Sequence, residues 1–234
     1  GGTYSARCNS DLIPVFKKAR ELCQLLRGNY SIKDGKPQGL PLFGVGLSLG
    51  GTILLNACLD QENKNFLDGL ICISSPLDLA LCSSSIEKPR NSIYQYWLLN
   101  RLVRQTLLDP FGINQFEREM LTSKNYFQLS KVNSIRSFDD AITAPRWGFE
   151  DVDDYYYKAS PLKLIYKRPL SLPKTFFIQS LDDPWVPAIS AQELLENIYS
   201  MKVQSHLKVI LTNHGGHNGF HGVEGCWGDQ MAVN

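Results

Sequence analysis

The sequence predicts an α/β fold in which a mostly parallel sheet carries a long helical insertion. Three observations support this. Four short apolar runs, "LPLFGVG", "LDGLICISS", "KTFFIQS" and "HLKVILT", have the length and composition of strands. Helical patterns follow the first run and separate the last two, the alternation that makes successive strands parallel. Between Pro76 and Ser160 no strand is convincing, and aromatic-rich helical patterns take over. A chain of 234 residues, 43% of them hydrophobic, can bury a substantial core as one domain or as one domain with an insertion.

The first element is a helix. Leu12, Val15, Phe16, Ala19, Leu22, Cys23 and Leu26 recur at helical spacing between a cap at Asn9 or Ser10 and a stop at Gly28. "LPLFGVG" reads as a short buried strand, and "TILLNACLDQ" resumes a helical pattern after a glycine-rich turn. "LDGLICISS", closed by Ser-Ser-Pro, suits a strand buried on both faces. "NSIYQYWLLNRLVRQTLL" is helical, and "TAPRWGFEDVDDYYYKASP" reads as irregular. "AISAQELLENIYSM" is the helix that joins the last two strands.

Composition limits the partners. Lys and Arg number 24 against 23 for Asp and Glu, and the scattered charge leaves no footprint for nucleic acid or an acidic membrane surface. The expected partner is a small or apolar molecule. Cys8, Cys23, Cys58, Cys72, Cys82 and Cys226 are widely spread and form no C-x-x-C pair, so most are expected to be buried thiols in a reducing compartment, the cytoplasm. No apolar run approaches the length of a membrane span, and the opening residues of the sequence have neither a basic leader nor an apolar h-region, so export is not expected.

The turn after the first strand reads Gly46-Leu47-Ser48-Leu49-Gly50. Chemistry in a parallel sheet collects at the carboxyl ends of the strands, where Ser48 lies. In a nucleophile elbow the serine sits on a strained strand-to-helix turn. Side chains two positions before and after it are expected to collide with backbone. The plainer alternative makes Ser48 a helix cap beside glycines that permit a turn. A serine hydroxyl needs a general base, itself oriented by a third group. Asp182 and Asp183 follow "KTFFIQS", and His214 and His217 follow "HLKVILT". The chain order Ser, Asp, His is that of an α/β-hydrolase. His214, His217 and His221 also lie close enough to suggest metal ligands, although their spacing matches no compact zinc motif. Paired Gly215 and Gly216 suit a loop that swings an imidazole back across the sheet.

Together, "GVGLSLGG", "SIRSFDDAITAPRWGFEDVDDYYYKASP", "LDDPWVP" and "GGHNGF" resemble the α/β-hydrolases of the bacterial YheT-like type, related to the eukaryotic ABHD1/ABHD3 and plant EMB8 group. The likeness runs over nearly the whole chain, and its long central stretch is more diagnostic than the serine turn. The resemblance implies a carboxylic-ester hydrolase acting on lipid-like or short-chain acyl esters, with no metal or organic cofactor. It also implies Ser48 as nucleophile, His217 as general base and Asp183 as orienting acid, because the family's acid commonly heads D-x-x-V-P, here Asp183-Pro184-Trp185-Val186-Pro187. Asp182 and His214 are the second choices. The N–H of Leu49, after the nucleophile, would help hold the oxyanion.

The resemblance sets expectations for the boundaries as well. Residues 1–234 correspond to the C-terminal portion of the hydrolase domain, with 76–160 as a helical cap whose Tyr94, Tyr96, Trp97, Trp147, Phe149 and Tyr155 to Tyr157 would line an acyl site. Ordinary core packing is the more expected role for most of these aromatics taken singly. "GGTYSARCNSDL" looks like the loop after the family's fourth strand, which makes this a partial, N-terminally truncated α/β-hydrolase fold. "GCWGDQMAVN" stops where the last helix would continue. The serine strand would then be a sheet edge with bare apolar faces. A His-Gly loop that carries the second oxyanion donor would be missing, and losing one donor costs on the order of 100- to 1000-fold in rate. Two other expectations remain: a non-catalytic fragment, and an acyltransferase that uses the same triad.

Overall fold

The computed structural model describes residues 5–26, 32–33, 36–37, 40–60, 66–122, 132–222 and 225–226. The helix stop at Gly28, the opening "GGTY" and the end of "GCWGDQMAVN" lie outside these residues.

In chain order, α1 (Asn9–Leu25) precedes a two-residue pair, β1 (Ile32–Lys33) antiparallel to β2 (Lys36–Pro37). Then come β3 (Phe43–Leu47), α2 (Leu49–Asp60) and β4 (Gly69–Ile73). A helical stretch follows: α3 (Leu79–Ile86), α4 (Ser92–Leu107), α5 (Gln115–Thr122) and α6 (Ile135–Phe138). The last of these runs through a π-helical turn, Asp139–Thr143, into α7 (Ala144–Arg146), and α8 (Val152–Ala159) closes the stretch. Next are α9 (Leu162–Lys167), β5 (Lys174–Ser180), α10 (Ile189–Ser200) and β6 (Leu207–Thr212). A second short antiparallel pair, β7 (His221–Gly222) with β8 (Gly225–Cys226), ends the described chain.

The chain divides into two compact units. One comprises Ala6–Leu77, Pro161–Asp183 and Ala188–Asn234, and it holds the sheet. Its four main strands lie in the order β3-β4-β5-β6 and all pair in parallel. This is the sheet expected from the four apolar runs. Leu55, Leu59, Leu194 and Leu207 are fully buried, joining α2, α10 and β6 in one core with Leu70 and Phe177. Each such side chain contributes roughly 1.5–3 kcal/mol by leaving water. β4 is buried on both faces, as its unbroken apolar run requires.

β3 differs from the buried strand expected. Gly44 and Gly46 face inward, while Phe43, Val45 and Leu47 are each more than half exposed. The apolar run correctly marks a strand, but it cannot say which face has a cover. α1 departs in the same way: Phe16 is buried, yet Val15, Leu22 and Leu26 are exposed. The residue preceding α1 is Cys8, with no side-chain cap, so the expected cap at Asn9 or Ser10 is not used.

The other unit comprises Gly1–Ser5, Asp78–Ser160 and Pro184–Pro187. Helices alone build its described part. Leu99, Leu121, Val132, Ile135, Phe138 and Ile142 form its core. "TAPRWGFEDVDDYYYKASP" is more ordered than expected: Asp151 caps α8 by accepting the N–H of Asp154, a signal overlooked in the acidic run. Tyr155 and Tyr156 are buried, and the Tyr156 hydroxyl donates to Asp139 at 2.8 Å. Tyr94 stacks on Trp185 at 3.5 Å between centroids. Tyr96, Trp97 and Tyr157 are exposed.

Cys8, Cys58, Cys72 and Cys82 are buried, and Cys23 and Cys226 are partly exposed. Burial pushes the Cys58 thiol up to about 12. Among the described residues no helix is long and apolar enough to cross a membrane.

Candidate active site

Ser48 stands between β3 and α2 with φ at 51°, in the left-handed region where a side chain is strained. Its N–H continues the sheet by donating to the Ile73 carbonyl at 2.8 Å. A helix-capping serine would have extended backbone; this one does not, and its hydroxyl is engaged elsewhere. The turn is tight because strand and helix touch backbone to backbone. A Cβ on Gly46 would sit 2.3 Å from the Cα of Gly51, and one on Gly51 would sit 1.9 Å from Ser75 Oγ. The expected collision two positions after the serine is not found, since a Cβ on Gly50 would meet nothing within 4 Å. The steric demand falls on Gly46 and Gly51, one position later than the pentapeptide suggests.

The acid and the histidine converge on the hydroxyl. His217 Nε2 lies 2.9 Å from Ser48 Oγ, and His217 Nδ1 lies 3.0 Å from Asp183 Oδ2. The imidazole and the carboxylate are almost out of water, with side-chain exposures of 10% and 0%. Gln179 also donates to Asp183 Oδ2, at 3.1 Å. Asp183 follows β5 by three residues, and His217 lies in the loop after β6. All of these residues belong to the sheet unit.

The second choices have other partners. Asp182 Oδ1 accepts the Gly216 N–H at 2.8 Å, and this bond, with His214 beside it, holds the Asp182 carboxyl below its ordinary range. Asp182 Oδ2 is 3.5 Å from His214 Nδ1, a side chain that is 92% exposed. Asp183 thus lies against His217, and Asp182 against His214. His221 lies in β7, apart from this pairing, and among the described residues no three His, Cys, Asp or Glu converge as metal ligands.

Leu49 is the first residue of α2, so its N–H has no acceptor within the helix. Such an N–H at the carboxyl edge of the sheet can receive negative charge. The loop that carries His217 depends on unusual backbone: Gly215, Gly216 and Asn218 have φ of 152°, 51° and 63°. A Cβ on Gly215 would strike the Phe220 ring at 2.6 Å. Sequence reasoning found these glycines but missed Gln179, Ser180 and Ser74, polar residues at strand ends whose hydrogen bonds only the fold reveals.

No family model matches the chain. It is 30% identical over 187 residues to the human phospholipase ABHD3, a match covering 80% of this chain and 42% of that protein. It is 34% identical over 188 residues to the Escherichia coli (strain K12) putative esterase YheT, covering 78% and 49% respectively. Among solved structures, a Pyrococcus furiosus esterase aligns with all of the chain and 63% of its own, at 13% identity and a TM-score of 0.48. The chain thus spans less than half the length of the curated relatives it matches. With sequence similarity of this extent carried on a parallel sheet and its serine turn, the chain is similar to the α/β-hydrolases of the group that contains ABHD3, YheT and the EMB8 protein.

Proposed function

We propose that this chain carries the reacting groups of a serine carboxylic-ester hydrolase. The observation that supports it best is the continuous hydrogen-bonded line from Ser48 Oγ through the His217 ring to Asp183 Oδ2, at 2.9 and 3.0 Å. His217 Nε2 takes the proton of Ser48 as the alkoxide attacks the ester carbonyl, and Asp183 keeps the ring in the tautomer that can accept it. The Leu49 N–H shares in holding the oxyanion. The protonated His217 then gives its proton to the leaving alcohol. Water, activated by the same ring, releases the acyl group and restores Ser48. The residues need no metal or organic cofactor for these steps.

The substrate class proposed is a small acyl ester, lipid-like or short-chain, in keeping with relatives named phospholipase and esterase. The segment 76–160, inserted between β4 and β5, is proposed as the helical cap of the domain, and its separate core supports reading it as a module.

The test is labelling with a fluorophosphonate probe, which phosphonylates an activated serine. The chain should label and Ser48→Ala should not. Equal labelling of the two would remove Ser48 as the nucleophile.

A further inference from the structure

The loop that carries His217 is fastened on both sides of the histidine. Before it, Gly216 is held by both of its backbone groups: its N–H donates to Asp182 Oδ1 at 2.8 Å, and its carbonyl accepts from Ser180 Oγ at 2.7 Å. After it, the Asn218 N–H reaches Ser74 Oγ at 3.3 Å. Ser180 ends β5, Asp182 lies two residues beyond, and Ser74 directly follows β4. Ser74 and Ser180 are fully buried, and Ser74 is itself in the left-handed region at φ 47°.

These contacts answer a physical need. Glycines at 215 and 216 give the backbone the positive φ it requires, but they also give it the most freedom to leave that conformation. A general base must stay within about 0.5 Å of its productive position. Hydrogen bonds to Asp183 and Ser48 hold the ring itself, but they restrain the backbone beneath it only weakly.

We infer that Asp182 and Ser180 are positioning residues, clamping Gly216 so that the His217 ring stays in line between Ser48 and Asp183. This rests on the esterase reading. Asp182 acts through an accepted backbone hydrogen bond rather than as an alternative acid of the triad. Its exposed pairing with His214 adds little, as surface pairs generally do.

The experiment compares Asp182→Ala, Asp182→Asn and Ser180→Ala in steady-state hydrolysis of a short-chain p-nitrophenyl ester. Asp182→Ala and Ser180→Ala should each lower kcat by about 10- to 100-fold with KM nearly unchanged, the effect of a misplaced base. Asp182→Asn keeps an oxygen that can accept the Gly216 N–H, so it should stay within about threefold of the unmodified chain. Full kcat in Asp182→Ala would overturn the inference, and so would equal damage in Asn and Ala, which would make the charge rather than the hydrogen bond responsible.

A readout independent of turnover is amide hydrogen exchange at Gly216 in the Ser48→Ala background. Asp182→Ala should accelerate it by about tenfold or more, and Asp182→Asn should not. Unchanged exchange would overturn the clamp. Failure of every variant and of the unmodified chain to label or turn over, with Gly216 exchange still responding, would refute the esterase reading while supporting the clamp.

Discussion

β3 leads to Ser48 and β5 to Asp183 at their carboxyl ends, yet the two strands are built differently. β5 lies between β4 and β6, and Thr175, Phe177, Ile178, Gln179 and Ser180 are all buried. β3 is the outer strand of the sheet and shows two unlike faces. One is only glycine, Gly44 and Gly46, packed so closely that a Cβ at Gly44 would lie 2.7 Å from Leu67. The other carries Phe43, Val45 and Leu47, exposed by 61, 51 and 53%. Asp183, three residues beyond the mostly enclosed β5, is thus located by its burial and by hydrogen bonds with Gln179 and His217. Ser48 is located by the absence of side chains, which lets α2 rest on the backbone of β3. Its geometry depends on one face of the strand alone, and the apolar other face has no cover among the described residues.

The largest effect is expected on the enclosed side. Asp183→Asn keeps the shape of the site but offers an amide in place of a carboxylate acceptor, which favours the wrong tautomer of His217. The rate of ester hydrolysis should fall about 10⁴-fold while the fold is kept, as checked by kcat and circular dichroism. A loss under tenfold would mean that the enclosed strand supplies no orienting acid.

Packing sharpens the contrast next. Leu70 in β4 is 1% exposed and Leu47 in adjoining β3 is 53% exposed. Truncating each to alanine removes the same atoms from neighbouring strands. Leu70→Ala should cost about 2–5 kcal/mol in urea unfolding, and Leu47→Ala about 0.5 kcal/mol or less. Equal losses would show that the outer face of β3 is covered in solution, by another segment or by a second copy.

Much of this was readable from the sequence. The four strands, their parallel order and the serine turn follow from apolar runs, glycine placement and alternating helices, signals carried by neighbouring residues. Which of Asp182 and Asp183 lies against which of His214 and His217 was less accessible from the residues, and the preference for Asp183 and His217 rests on the family resemblance. Both members of each pair sit in the same turn, and only the backbone path decides which carboxylate meets which ring. The sequence likewise could not tell a two-sided strand at β4 from a one-sided strand at β3, because an apolar run records composition and not its cover. Ser74 and Ser180 gave no signal, since a serine at a strand end is common and its partners lie 144 and 36 residues away.

The smallest effect concerns a glycine that the pentapeptide marks and the geometry does not require. Gly50 lies in the first turn of α2, outside the positive-φ residues, with nothing within 4 Å of where its Cβ would stand. Alanine there loses less backbone entropy on folding than glycine, so Gly50→Ala should raise stability by up to about 1 kcal/mol, read as a higher urea midpoint, while fluorophosphonate labelling persists. Gly51→Ala, one position on, drives a methyl into Ser75 Oγ and should lower both stability and labelling. If Gly50→Ala abolished labelling while leaving stability intact, the space beside residue 50 would belong to the substrate, and the glycine would be kept for binding rather than for the turn.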